Sequence, residues 1–354
     1  MKIGLLTFHD TCNFGSLLQT YGLYRAIVDL GYECEIINYQ CNNIVEREIP
    51  KPFQITPNLK EILLYAIVGR HRMIKYRALT DFLKVNMKMS EVCIRDNVAE
   101  VCKKYDKVFV GSDIVWGLDI TGDDLTFFLD FLNDSRKKYA YSSSVGNPWS
   151  DKEKKLVAPL LREFIHIAVR EDESADWVSE LVGIRPRVVC DPTMLLTAET
   201  WRLVSSVKRG KSDYVIVYFD NKNRDCINNA IRYAKAKNLK VYLVNDGLSR
   251  NGYKTVKPHT LGDFLSLIDN AAFVFTASYH GMLFSLYFNK PFAYYNRAHK
   301  SRMNTLSARL KVDDRNGEEY DVMNMNAIDY GVVNDAIEQF RQESIKCLRQ
   351  FLEA

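Results

Sequence analysis

Five segments place hydrogen-bonding or ionisable side chains at spacings that a binding site uses. Thr7–Gln19 (TFHDTCNFGSLLQ) joins an apolar run to a helical pattern. Free backbone N–H groups at such a helix start hold an anion or a sugar hydroxyl. Gly15 permits close approach of a ligand, and Asp10, Asn13 and Gln19 offer partners for hydroxyls. The stretch is not GxGxxG, which argues against a dinucleotide. A loop and N-cap that merely start a helix is the plainer account; the density of polar residues favours a site.

Val110–Trp116 (VGSDIVW) also follows an apolar run. Asp113 suits a general base or an acceptor for a sugar hydroxyl, and Trp116 a platform for a sugar ring. An N-cap at Ser112 or Asp113 with a core tryptophan explains the same residues equally well. In Ala168–Ser174 (AVREDES), Arg170 ends a strand pattern. Its guanidinium suits bidentate recognition of carboxylate or phosphate; an ion pair with Glu171 or Glu173 is the competing account. Phe275–Gly281 (FTASYHG) ends an apolar run and opens a helix. Helix N-termini attract phosphate, and His280 there is placed to donate a proton to, or bond, a bound anion, although a lone histidine is more often structural. Asn296–Arg309 (NRAHKSRMNTLSAR), which includes Arg302, is basic and suits closure over an anion.

The elements that must position these segments are read from apolar periodicity. Residues 2–8, 33–39, 107–110, 138–142, 165–169 and 187–190 read as strands, with a helix over 16–30. Residues 40–100 differ: Pro50, Pro52 and Pro57 break the pattern, and helices are expected over 59–68 and 73–85. A second series has strands at 214–218, 240–244, 272–276 and 291–295, with helices at 225–237, 261–270 and 280–288. An amphipathic helix over 332–352 closes the chain. Strands alternating with helices predict an α/β protein of two Rossmann-like domains facing a central cleft. The expected domains are 1–197, with a helical insertion at about 40–100, and 198–330, with the helix of 331–354 packing back on the first. Ligands of open parallel sheets sit beyond the carboxyl ends of the strands, where the five segments fall.

Composition limits the alternatives. Of 354 residues, 47% are hydrophobic and 26% charged, which excludes disorder as the main state. A net charge of +4 is too small for a dedicated nucleic-acid binder and compatible with an anionic small molecule or membrane surface. The eight cysteines contain no CxxC pair and no zinc-like spacing, so no metal or cofactor is expected. No apolar run reaches the ~18 residues of a transmembrane helix, and the start lacks a signal-peptide pattern. A cytoplasmic chain is the reading. Residues 69–77 (GRHRMIKYR) beside the apolar 59–68 have the composition of a segment lying on the inner membrane face, although a surface helix pair is the preferred account.

Together the segments resemble the polysaccharide pyruvyl transferase family. The resemblance is carried by IGLLTFHDTCNFGSLLQTYGL and IINY near the start, VGSDIVW, YSSSVG at Tyr141–Gly146, AVREDES, DPTMLL at Asp191–Leu196, and TASYHGMLFSLYFNKPF at Thr276–Phe292. It covers most of the chain outside 40–100. It implies a GT-B-type fold and transfer of an enolpyruvate-derived group from phosphoenolpyruvate onto a sugar of a cell-surface polysaccharide or its precursor, as a ketal. It implies phosphoenolpyruvate at Arg170, Ser278, His280, Gly281 and Arg302, and a saccharide acceptor, lipid-linked acceptors included, at Asp10, Asn13, Gly15, Gln19, Asp113 and Trp116. His280 and Asp113 are the implied catalytic pair. The family pattern has Arg-x-His where this chain has Ser278-Tyr279-His280, so Arg170, Arg297, Lys300 or Arg302 is expected to supply the missing charge. Two other functions fit the same architecture: a glycosyltransferase using a nucleotide-sugar, and a non-catalytic sugar-binding relative.

Overall fold

The computed structural model describes residues 1–50, 62–63, 65–205, 212–245, 247–297 and 300–354. The chain forms two compact units. Unit 1 comprises Met1–Ile49, Thr80–Leu196 and Gln339–Ala354; unit 2 comprises Pro50–Leu79 and Thr197–Glu338.

Unit 1 is built on a six-stranded, fully parallel sheet: β1 (Lys2–Leu6), β2 (Glu33–Ile36), β3 (Lys107–Val110), β4 (Lys138–Ser143), β5 (His166–Val169) and β6 (Arg187–Val188), in the order β2-β1-β3-β4-β5-β6. The central strands are buried along their whole length, which is why they read as unbroken apolar runs rather than alternating ones. Helices of two turns or more in this unit are α1 (Phe14–Asp29), α3 (Asp151–Leu161) and α4 (Asp172–Val182), with α2 (Arg70–Asn86) passing between the two groups of residues. Asn13 caps α1 by accepting from Gly15 N, and Gly31, at φ 91°, ends its turn. Nearly every face of α1 is buried, because Gly22 lets the 3-10 turn Pro192–Leu195 lie against it; a Cβ there would meet Pro192 O at 2.5 Å. Ser150 and Glu153 form a capping box on α3, and Gly183 (φ 80°) stops α4.

Unit 2 carries a five-stranded parallel sheet: β7 (Tyr214–Tyr218), β8 (Lys240–Val244), β9 (Lys254–Val256), β10 (Phe273–Thr276) and β11 (Phe292–Tyr294), ordered β11-β10-β7-β8-β9. Its longer helices include α5 (Asp225–Lys237), α6 (Leu261–Asp269), α7 (Tyr279–Tyr287) and α8 (Lys300–Arg309). Side chains alternate across the sheet. Val215, Val217, Phe273, Phe275 and Tyr295 join Cys226, Ile227 and Ala230 of α5 in one core. Tyr218 turns to the other face, where its ring meets Phe264 of α6 at 4.6 Å.

Both sheets therefore have the parallel, Rossmann-like form that the sequence predicts. The strand β9 was not anticipated; three partly exposed residues at a sheet edge give no apolar run. The helix expected over 59–68 lies largely outside the described residues, and its described part, Tyr65–Gly69, is a π-helical turn. Residues 50–79, read from sequence as an insertion in the first domain, group with unit 2, where the His71 and His259 rings approach with Nδ1 and Nε2 2.8 Å apart. The last long helix, α9 (Tyr330–Glu353), begins in unit 2 and ends in unit 1.

Candidate functional site

Each sheet has one point at which successive strands are added on opposite sides. In unit 1 it lies between β1 and β3, in unit 2 between β7 and β10. Crevices open at such points beyond the carboxyl ends of the strands. The segments singled out by sequence fall on these ends.

In unit 1, Gln19 ties the two loops together. Its Nε2 donates to Thr7 Oγ1 (3.1 Å) and Ser16 O (2.8 Å), and its Oε1 accepts from Ser112 N at 3.2 Å. Thr7 Oγ1 in turn donates to Ser112 O at 3.1 Å. Asp113, at φ 75°, accepts from Ser16 Oγ at 2.6 Å and from Ile114 N at 2.9 Å. The β1 loop and the β3 loop are thus fixed in one frame with Asp113 partly exposed at its rim. Asp10 is also partly exposed; its Oδ2 accepts from Gln40 Nε2 at 3.4 Å, while its Oδ1 is buried with no donor in reach. Asn13 is exposed.

Four sequence expectations change here. Gln19 is wholly buried and its amide is spent on the loops, so it positions the site instead of offering itself to a hydroxyl. Trp116 is wholly buried as well: its Nε1 donates to Phe127 O (3.0 Å) and its ring stacks on Phe128 at 5.8 Å, so it forms core and not a sugar platform. Arg170 is 5% exposed, with Nη1 3.1 Å from Asp191 Oδ2 and Nε 3.4 Å from Glu171 Oε2. Its charge is matched within unit 1 by these two carboxylates, so Arg170 is not an unmatched cation for a donor phosphate. Gly15 is buried and its N–H already donates to Asn13 Oδ1 at 2.9 Å, so that amide is not presented to an anion.

Sequence reasoning missed two buried polar groupings at this edge. His9 is 2% exposed, with Nδ1 3.1 Å from Thr7 O and Nε2 3.1 Å from Asn38 Oδ1. Glu171 Oε1 accepts from both Ser144 Oγ and Ser174 Oγ. The Asp191 partner of Arg170 was visible as the residue before Pro192, where it caps a turn through Thr193 N (2.9 Å). Nothing in the local sequence ties it to an arginine twenty-one positions earlier.

In unit 2 the β10–α7 junction is built on Thr276, whose Oγ1 donates to Tyr218 O at 2.8 Å and accepts from Ser278 N at 3.0 Å. Ser278 is the N-cap of α7 and accepts from Gly281 N. Gly281 is obligatory there: a Cβ would stand 2.2 Å from Thr276 Oγ1. This close packing draws the positive end of α7 to the strand end, with Ser278, Tyr279 and His280 partly exposed in its first turn. Arg297, exposed, lies with its guanidinium 4.8 Å over the Phe219 ring. Arg302 is half-buried on α8. The Lys300 side chain lies outside the described residues. The unit 2 edge has the chemistry to hold an anion at a helix N-terminus beside an imidazole; separately, the unit 1 edge offers Asp10, Asn13 and Asp113 to hydroxyls.

Among the described residues no cluster of His, Cys, Asp and Glu has a metal-holding arrangement, and no helix is long and apolar enough to cross a membrane. All eight cysteines are buried.

Comparison with known proteins follows the same lines. A search of curated proteins returns no match. Among solved structures, the UDP-GlcNAc 2-epimerase of Neisseria meningitidis aligns over 99% of both chains at 11% identity and a TM-score of 0.46. That of Methanocaldococcus jannaschii aligns over 96% of this chain and 92% of its own at 11% identity and 0.46. The Streptomyces sp. SF2575 glycosyltransferase SsfS6 aligns over 99% of both chains at 12% identity and 0.41. These likenesses are too distant to carry a functional argument. The family model for polysaccharide pyruvyl transferase matches residues 13–299, a range that includes the β3 loop and the β10–α7 junction. The chain belongs to the polysaccharide pyruvyl transferase family.

Proposed function

We propose that the protein transfers an enolpyruvate-derived group from phosphoenolpyruvate to a saccharide and closes it as a cyclic ketal on two hydroxyls. The family match over residues 13–299 carries the reading. The unit 2 edge supports the donor half. A dianionic phosphate suits the N-terminus of α7, where Ser278 and the first-turn amides meet it and the helix dipole favours negative charge. His280 stands in that first turn. The unit 1 edge supports the acceptor half, with Asp113 and Asp10 as hydroxyl acceptors and Asn13 beside them.

The reaction balances as follows. A proton from His280 goes to the methylene carbon of phosphoenolpyruvate, making it a methyl group and leaving positive character on C2. One sugar hydroxyl attacks C2 and loses its proton to Asp113. The C2–O bond to phosphate breaks and phosphate departs with its electron pair. The second hydroxyl closes the ring on C2 and gives its proton to the His280 imidazole, which restores the acid, while the proton held on Asp113 passes through solvent to the released phosphate. Net, one phosphoenolpyruvate and two hydroxyls give one ketal and one phosphate.

A proton donor of this kind contributes about 10²–10⁴-fold in rate. The test is phosphate release from phosphoenolpyruvate with acceptor oligosaccharide, alongside calorimetric titration of phosphoenolpyruvate alone. His280→Gln is expected to cut release by about 10²-fold or more while the melting temperature holds. Release at the wild-type rate in that variant removes His280 from the mechanism. Absence of phosphoenolpyruvate binding together with a thermal shift by a UDP- or GDP-sugar replaces the reading with nucleotide-sugar transfer.

A further inference from the structure

A second cavity opens in unit 2, on the face opposite α7. It has a volume of about 900 Å³, within the range of small-ligand sites. It lies beyond β7 and β11, between the start of α5 and the turn at Gly317 and Glu318. The faces are distinct because side chains alternate: Tyr218 and Thr276 point to α6 and α7, while Val217, Phe275 and Tyr295 point to α5. Gly317 allows the turn to seal the wall, since a Cβ there would fall 2.3 Å from the Tyr295 ring.

The lining has the chemistry of hydroxyl recognition. Four asparagines line it, with three carboxylates against two cations. That balance disfavours a phosphate or a nucleotide. Glu318 is a hub: Oε1 accepts from Asn221 Nδ2 at 3.2 Å and Oε2 from Asn296 Nδ2 at 3.3 Å. Asn296 is 6% exposed, and its Oδ1 is buried with no donor in reach. A buried acceptor without a donor carries a free-energy cost. Arg297, the next residue, also lines the cavity and offers donors. Arg297 in turn rests on Phe219, an aromatic ring 41% exposed at a non-glycine φ of 59°. Strained positions of this kind cluster at ligand sites.

We propose that this cavity is a subsite for a neutral sugar ring, bound through Asn296, Asn221, Glu318 and Arg297 with Phe219 at its rim. The choice of a sugar among polyhydroxy ligands rests on the family reading; the cavity and its orphaned acceptor do not. It is a saccharide contact on unit 2, on the α5 side of the sheet.

The test is saturation-transfer NMR on the full chain with methyl glucoside, methyl galactoside, methyl mannoside and methyl N-acetylglucosaminide at millimolar concentration. At least one glycoside is expected to show transfer. Loss of one hydrogen bond is worth about threefold to tenfold in affinity, so Asn296→Leu should weaken that signal by this much, and Phe219→Ala should weaken it as well. Phe219 is exposed, so its variant decides the matter if Asn296→Leu does not fold. No transfer from any glycoside in the wild type overturns the proposal, as does transfer unchanged in both variants. Calorimetry with phosphoenolpyruvate separates the two readings. A chain that binds phosphoenolpyruvate while its glycoside signal ignores both substitutions loses only the subsite. A chain whose glycoside signal falls in both but which takes up no phosphoenolpyruvate loses only the proposed transfer.

Discussion

At the scale of single residues, charge at the unit 1 edge is held within the protein. Arg170 and its two carboxylates are all nearly or wholly buried, Asp191 at 0% and Glu171 at 5% exposure. Removing one partner of such a group strands the others in low dielectric, at a cost of about 3–5 kcal/mol. Arg170→Leu is therefore expected to lower unfolding free energy by about that amount in urea denaturation, because Asp191 loses its cation while still accepting from Thr193. A donor-binding arginine would behave differently: stability would hold and only phosphoenolpyruvate affinity would fall. Full stability in Arg170→Leu would restore that role. The sequence showed a guanidinium at a strand end, and that position was correct. It did not show what lay opposite, because the partner that decides the role comes from another element.

At the scale of elements, the edge strand β2 is fastened at Glu35. Its carboxylate accepts from Tyr105 Oη at 2.6 Å and pairs with Lys104 Nζ at 2.8 Å and Lys2 Nζ at 3.1 Å. Burial alone would raise this carboxyl, but the bonds from Lys104, Tyr105 and Lys2 outweigh it and hold it down at about 2, against an ordinary 4.5. A carboxyl depressed in the folded state contributes stability that is fully present above its unfolded value and is lost as protons bind. The window is therefore from 4.5 down to about 2. Urea midpoints should fall across it in the wild type, and Glu35→Gln should be less stable near neutrality with a shallower fall below 4.5. Parallel slopes in the two proteins would show that Glu35 carries none of the acid sensitivity. The strands themselves were largely legible because parallel, doubly covered strands must be apolar throughout, as KVFV and YVIVY are. Loops were legible in place and not in use. VGSDIVW reads the same whether Trp116 faces a sugar or, as it does, donates to a carbonyl eleven residues on.

For the molecule as a whole, the decisive element is α9, which starts in unit 2 and completes unit 1. Its amphipathic pattern was plain in sequence, but the groups it satisfies were not, since they lie up to 245 positions away. Within unit 1, Tyr141 Oη donates to Ser344 O at 2.8 Å, and Ser344 Oγ accepts from Cys190 N at 2.9 Å. The buried Lys107 donates to Phe351 O and Leu352 O at 3.0 and 2.8 Å, placing a cation at the negative end of the helix. The Phe351 ring stacks on His166 at 4.7 Å. Cys347, Leu348, Phe351 and Leu352 are all at most 5% exposed. The three larger side chains alone are worth about 1.5–3 kcal/mol each, a sum comparable to the about 5–15 kcal/mol that holds a domain folded. Deleting residues 339–354 should therefore unfold unit 1 while unit 2 persists. Amide exchange reads this directly. Protection in β3, β4 and β5 should collapse to the minutes of an open chain, and β7 and β10 should keep theirs, because no strand of unit 2 depends on the deleted turns for its pairing. If β3 to β5 stay protected after the deletion, the sheet of unit 1 holds its own core and α9 is only a cover. If β7 and β10 open with them, the two units fold as one cooperative body, and stability changes made in either would be felt at both strand-end sites.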